Sequence, residues 1–380
     1  QSVLQVGVAD DNIIVGIEVK RMEVYVKTKK KIGLFVIIVA ALAIMMIGFR
    51  WFFFEVLKSD QMLDGLVEFR ASVVKDMESG SKSGMYFVKN VKKKDVPNIN
   101  KYIDSAYGSV DTYRIIIESG DYLAIQFNFE LSDNYYVVRK YLYGTDIPGD
   151  NERALRIYDV VDGFIDRYIT DGMTDFDKEL AVHDYIVSNC HYGYPENKDD
   201  AYTAYGALVL ERSVCDGYAE AFFVIMSCLG VDCDIVVGST DEGLHAWNQV
   251  ALGGEWYNID LTWDDSLPDM GNYIKHTYVN VADDVLERTH IWQKQFYREC
   301  TEDTYNFYSK KFYRYECFDD YVKGVKIQLG RNKVVEAAVR TDEATFDLSF
   351  FYNYGNINSI NYAIEDMGEY KIIVVYLNFR

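Results

Sequence analysis

Residues 213–219 read Ser213-Val214-Cys215-Asp216-Gly217-Tyr218-Ala219, and the apolar positions that follow decide what fold surrounds them. Tyr218, Ala221, Phe222, Ile225 and Leu229 recur mostly three and four residues apart, so a helix starting near Cys215 presents one apolar face and stops at Gly230. Cys215 lies three residues before Tyr218 and shares that face at the first turn. A thiol attacks only as the thiolate, and a helix N-terminus favours negative charge through its dipole and unpaired amides. The same amides can receive a developing oxyanion. Gly217 is expected to keep the approach to the thiol open. Alone, a cysteine among apolar helix residues is a small core hydrophobe, so the assignment needs a base.

The base comes from the strands that follow. Residues 233–237, 245–251 and 255–261 read as strands, the last two joined at Gly253-Gly254. A two- or four-residue loop there pairs Leu252 with Glu255 and, carried along the ladder, His245 with Thr262 and Trp247 with Asp260. Side chains alternate, so these four share a face, and Asp260 is the diagonal neighbour of His245 at about 7–8 Å. A three-residue loop would break this parity. Asp264 shares the parity but falls beyond the strand, and Asp265 does not share it, which leaves Asp260 as the orienting carboxylate and Asp264 as the next choice. The helix packs on the hairpin nearest in sequence, so nucleophile, base and orienter converge.

Three blocks now stand in order: the one around Cys215, Leu244-His245-Ala246-Trp247-Asn248-Gln249-Val250, and Trp256-Tyr257-Asn258-Ile259-Asp260-Leu261-Thr262-Trp263-Asp264-Asp265. Together they resemble the motif blocks of the bacterial transglutaminase-like superfamily over residues 150–300, a stretch that takes in the helical lead-in and a tail from Tyr278-Val279-Asn280 to His290. The resemblance implies an α+β, papain-like core in which a helical subregion packs on an antiparallel sheet. It implies Cys215 as nucleophile, His245 as general base and acid, and Asp260 as orienter. It further implies attack on an amide carbonyl with a thioester intermediate on Cys215, for which no metal or organic cofactor is required. Water as acceptor makes a cysteine peptidase or amidase, the usual expectation for bacterial members; an amine makes a cross-linking acyltransferase. A non-catalytic cell-surface binding module is the third reading. Trp247, Trp256 and Trp263 are read as core and groove wall.

Around this core the chain divides further. A helix capped by Asp150 carries Leu155, Tyr158, Val161 and Ile165, and Thr174 with Asp177 forms a capping box before Phe176, Leu180, His183 and Val187. His183 on that stripe is expected to be a core histidine. A small α+β domain spans 85–149, with strands at 85–88, 113–118, 122–130 and 136–143 and a helix at 99–106. A β-rich C-terminal domain spans 311–380, with strands at 325–329, 334–339, 346–352 and 370–379, read as a separate appendage. Neither flank carries a motif that names a substrate.

The N-terminus has another character. Residues 1–58 hold 8 Lys and Arg against 5 Asp and Glu, a balance of +3 in a chain of net charge −20, so the remainder carries −23. Lys27, Lys29, Lys30 and Lys31 precede an uncharged apolar run over 32–49 that spans about 27 Å as a helix, near the ~30 Å of a bilayer core. Trp51, Phe52, Phe53 and Phe54 follow as an interfacial belt. No small-residue cleavage site follows the run. The expected plan is a cytoplasmic tail over 1–31, a single transmembrane anchor over 32–54, a juxtamembrane stalk over 55–84 and an extracellular catalytic domain on the cell membrane. Met22 stands before the lysines as an initiator would, which marks residues 1–21 as an upstream extension.

Composition sets the outer bounds. With 39 basic against 59 acidic residues in 380, a nucleic-acid partner is excluded. A hydrophobic content of 49% and only 4 Pro suit a packed multidomain protein. Six Cys make no disulfide framework; Cys228 and Cys233 are placed to pair, though a reduced core thiol is favoured. Cys190 and His191 offer no chelate, and no second pair completes a zinc site. The partner is a protein or peptide substrate, cell-wall material included.

Overall fold

The computed structural model describes residues 42, 44–46, 48, 62–96, 106–120, 122–265, 274–329, 334–342 and 346–379. Residues 64–380 form one compact unit and 1–63 another. In the first unit Leu42, Ile44, Met45, Met46 and Gly48 are helical. The rest of the expected anchor lies outside the described residues, and among those described no helix is long and apolar enough to cross a membrane. The helix expected over 99–106 also lies mostly outside them.

Within 64–380 the chain enters as helix α1 (Gly65–Glu78), in the segment read as a stalk. Its Phe69, Val73 and Met77 recur at helical spacing and are buried on a sheet of β1 (Ser83–Lys89), β2 (Gly108–Ser119) and β3 (Tyr122–Leu131), with β3 in the middle and both pairings antiparallel. Phe69 stacks on Phe127 at 5.5 Å. Residues 136–143, read as a strand, belong to helix α2 (Asp133–Tyr143). Ser132 accepts the Tyr135 N–H as its N-cap, and Gly144 closes it in the left-handed region at φ 68°. The caps and burial of Val137 and Val138 override the strand propensity of Tyr and Val.

Helix α3 (Glu152–Tyr168) starts one residue later than expected, because Asn151 and not Asp150 accepts the Ala154 N–H. Helix α4 (Asp175–Asn189) carries the expected capping box of Thr174 and Asp177, with Phe176, Leu180, His183 and Val187 all buried. A short parallel pair of β4 (His191–Tyr192) with β5 (Arg212–Ser213), bracketing helix α5 (Ala204–Leu208), leads into α6 (Cys215–Cys228). Beyond the expected stripe, α6 also buries Ala219, Phe223, Val224 and Met226, so it is a central helix apolar on nearly every side.

An antiparallel sheet follows, in the order β9 (Ile291–Trp292), β6 (Cys233–Thr240), β7 (Gly243–Leu252), β8 (Glu255–Ile259). The hairpin register is the one expected, Leu252 opposite Glu255 and Asn248 opposite Ile259. The C-terminal region is β-rich and mixed. β11 (Val334–Arg340) runs between β10 (Arg314–Tyr315) and β13 (Tyr370–Phe379), and β12 (Ile357–Asp366) forms the far edge. After α8 (Phe318–Gly324), residues 325–329 are the junction Val325 and helix α9 (Lys326–Leu329), and 346–352 run into a 3-10 turn, where strands were expected. The sheet is no separate appendage: its Ala338, Tyr370, Ile372 and Val374 share one buried cluster with Phe222 and Ile225 of α6.

Candidate active site

Cys215 is the first residue of α6, and Val214 at the N-cap offers no side-chain acceptor; the Gly217 and Tyr218 N–H groups donate to the Val214 carbonyl, and the amides of Cys215 and Asp216 stand before them at the open end of the helix. The segment before it is clamped: Val214 N–H donates to the Ala201 carbonyl at 3.0 Å and Ser213 Oγ donates to the same oxygen at 2.5 Å. Gly217, expected from sequence to keep the approach to the thiol open, faces the 201–203 turn. A Cβ there would stand 1.9 Å from Ser213 Oγ and 2.7 Å from the Thr203 carbonyl, so glycine is what lets α6 seat against the 201–203 turn.

His245 lies in β7 opposite Gly238 and is buried beside α6, near enough to the Cys215 thiol for the sulfur to act on its protonation. Its Nε2 is 2.7 Å from Asp260 Oδ2, which leaves Nδ1 as the nitrogen for the sulfur. Burial opposes protonation of this ring, but the charge and hydrogen bond of Asp260, joined by Cys215, override it and push the pKa up to about 10. Asp260 is buried, yet the two histidines it serves hold its carboxyl well below the usual range. The thiol also reaches Asp216 Oδ2 at 3.4 Å.

Asp260 arrives by a different route from the one the ladder suggests. The strand ends at Ile259, and Asp260 becomes the N-cap of a helical turn, α7 (Leu261–Asp264), with Oδ1 accepting the Trp263 N–H at 3.1 Å. That turn brings the carboxylate onto the imidazole directly, where a strand diagonal leaves Cβ atoms about 7–8 Å apart. Asp264 is committed elsewhere: both its oxygens accept the Tyr278 N–H at 3.1 Å.

Sequence reasoning gave His290 no role. Its Nε2 lies 3.0 Å from the same Asp260 Oδ2, its Nδ1 2.8 Å from Thr289 Oγ1, and Trp263 and Trp247 pack on it at 4.5 and 5.0 Å. Of the three tryptophans, Trp247 is buried, Trp263 roofs the two histidines, and Trp256 stands apart beside Arg298. Exposed Tyr192 and Tyr202 lie within electrostatic range of the sulfur, and exposed Tyr194 packs on Tyr202.

The other cysteines are free, Cys228 and Cys233 included. Burial pushes Cys190 and Cys228 up to about 12 and raises Cys233 and Cys300 as well, which marks them as core thiols. His245, Asp260 and His290 also bring three metal-ligand-type atoms within 4.8 Å of one another. Asp260 Oδ2, however, already serves both imidazoles.

Residues 162–261 match the core model of the transglutaminase-like superfamily. Human kyphoscoliosis peptidase is 28% identical over 124 residues, 29% of this chain and 19% of that protein. The mouse protein is 30% identical over 111 residues, 25% of this chain and 17% of its own. The chain thus spans about a fifth of the length of these relatives. A solved structure of a TGase aligns with a TM-score of 0.28 at 15% identity, over 47% of this chain and 51% of that one. The chain therefore carries a transglutaminase-like superfamily domain, set in a mixed α+β fold that ends in a β-rich C-terminal region.

Proposed function

We propose that the chain is a membrane-anchored, extracytoplasmic cysteine peptidase or amidase that uses Cys215, His245 and Asp260. The observation that carries this is the relay at the start of α6: a thiol beside a buried imidazole whose Nε2 is 2.7 Å from a buried carboxylate. In the first half-reaction the Cys215 sulfur, its proton already on His245 Nδ1, attacks the amide carbonyl as the thiolate, with the oxyanion facing the first amides of α6. The C–N bond breaks as His245 returns the proton to the leaving amine, and a thioester remains. Water then gives its proton to His245, bonds to the acyl carbon and displaces the Cys215 sulfur as the C–S bond breaks. Asp260 holds the ring in the tautomer and orientation both steps require. An amine in place of water would make the protein an acyltransferase.

The test is alkylation of the full chain by iodoacetamide at about pH 5.5, where ordinary thiols react slowly. Cys215 should label far faster than exposed Cys317, and His245→Ala should abolish the difference. Uniformly slow labelling would leave the binding-module reading. Incorporation of a labelled primary amine that depends on Cys215 would turn the hydrolase into an acyltransferase. The membrane setting rests on the lysine cluster and apolar run of 27–49 in the sequence. Protease added outside intact cells should remove the catalytic domain and spare the tail.

A further inference from the structure

Away from Cys215, a second set of imidazoles and carboxylates converges between the core helices and the C-terminal sheet. His183 and Asp184 belong to α4, His276 to the segment after α7, and Glu336 to β11. Asp184 Oδ1 is 3.0 Å from His183 Nδ1 and 3.0 Å from His276 Nε2, and the three atoms lie within 4.8 Å of one another. The far nitrogen of each ring also meets a carboxylate: His276 Nδ1 is 2.7 Å from Glu336 Oε1, and His183 Nε2 is 3.3 Å from Asp264 Oδ2. Phe307 stacks on His276 at 4.1 Å and fixes the ring plane.

A carboxylate on the far nitrogen holds the N–H there and turns the near lone pair inward, the usual arrangement behind a metal-bound histidine. His276 has this feature, and Asp264 stands 3.3 Å from the far nitrogen of His183, so two imidazole nitrogens and a carboxylate oxygen converge on one place. Buried Asp264 and Glu336 and half-exposed Asp184 then surround two neutral rings, and anions in that number require compensating positive charge. Two protons supply it, or one divalent metal does. Ligand atoms around a tetrahedral zinc with bonds of about 2.0–2.1 Å sit about 3.3 Å apart, close to the 3.0 Å contacts observed. Two nitrogens and one oxygen suit zinc and not calcium. The Asp184 side chain is 43% exposed, which opens a way in and a fourth position for water.

We propose that His183, Asp184 and His276 form a zinc-binding site, with Asp264 and Glu336 as outer carboxylates, that fastens α4 to strand β11 of the C-terminal sheet. The proposal does not depend on the reading of Cys215. The untagged full chain, stripped with a chelator, is titrated calorimetrically with Zn2+ and, in parallel, Ca2+. One zinc per chain is expected, with no heat from calcium and a raised Tm in the zinc-loaded protein. Asp184→Asn, at a half-exposed position that should leave the fold intact, and His276→Gln should each weaken binding by at least about 10–100-fold. The double variant Cys215→Ala/His245→Ala should bind as the wild type does, which separates this site from the cluster at Asp260. No zinc uptake, binding that survives both Asp184→Asn and His276→Gln, or loss in the Cys215→Ala/His245→Ala protein would each overturn the proposal.

Discussion

Asp260 Oδ2 accepts from two imidazoles, His245 at 2.7 Å and His290 at 3.0 Å, and only the first reaches the sulfur. His290 is therefore a positioning residue: together with the Trp263 N–H on Oδ1, it holds the buried carboxylate against the catalytic ring. A hydrogen bond to a charged group contributes about 1.5–3 kcal/mol, so His290→Ala should lower kcat by about 10–100-fold with little change in KM. His290→Gln keeps an N–H in place and should recover part of the loss, which a purely structural role would not reproduce. Asp260→Ala removes the orienter itself and should cost about 10^3–10^4-fold, a drop that Asp264→Asn should not match. With His245 pushed up to about 10, the imidazolium persists through neutral pH, and activity should decline only as the pH approaches that value. The apparent limb belongs to the Cys215–His245 pair, so it is read from kcat/KM against pH and not assigned to one group. His183 is a buried histidine as expected, but it sits in a charged network, because its neighbour Asp184 and the distant Asp264 turn toward it. His290 escaped sequence reasoning because it lies in a turn with no periodic register to Asp260, and only the fold closes the 30 intervening residues.

At the level of elements, the seat of α6 is where ordinary propensity and packing disagree. Glycine inside a helix normally costs about 0.5–1 kcal/mol against alanine, so Gly217→Ala should stabilise on propensity alone. Packing reverses the sign: the new methyl would meet the carbonyls of Thr203 and Ala201 at 2.7 and 2.8 Å, and backbone cannot swing aside as a flexible side chain can. Overpacking of this kind costs about 1–3 kcal/mol, so Gly217→Ala should lower Tm and displace Cys215 from His245. A Gly217→Ala protein with unchanged Tm would show that the 201–203 turn yields. The helix start, the hairpin register and the capping box of α4 were all legible, since each is written in local spacing. The end of β8 was not. Nothing in a period of two announces that Asp260 leaves the ladder to cap α7, although Asp260 followed three residues later by Trp263 is the spacing of a side-chain cap. Residues 136–143 misled for the opposite reason: strand-forming side chains were overruled by Ser132 and Gly144 at the two ends.

For residues 64–380 as a whole, the sequence divided what the core joins, because the near-continuous apolar runs of β11 and β13 show that both strands are buried but not that Ala338 and Ile372 are buried against the helical core. In a chain of net charge −20, the buried ionisable groups set how stability depends on pH. His245 and His276 have folded pKa values raised to about 10 from 6.5, so the stability they contribute is fully present below pH 6.5 and is lost as pH rises toward 10. Burial raises Glu179 from 4.5 to about 8 and Glu220 to about 7, so each costs stability as the pH climbs above 4.5, with the cost complete near 8 and 7. Asp260 and Asp184 act in the other sense: their depressed values add stability above pH 3.8 that disappears as the pH falls below it. Between pH 4.5 and 10 the four raised groups all push the same way, and the two depressed carboxylates resist only acid. Measured in the presence of a chelator, Tm should therefore be highest in mildly acidic buffer, near pH 5, and should fall steadily through neutral to alkaline pH. His276→Gln should flatten the part of that decline above pH 6.5, and a Tm that rises from pH 5 to 8 would show that these buried groups do not set the stability of the fold.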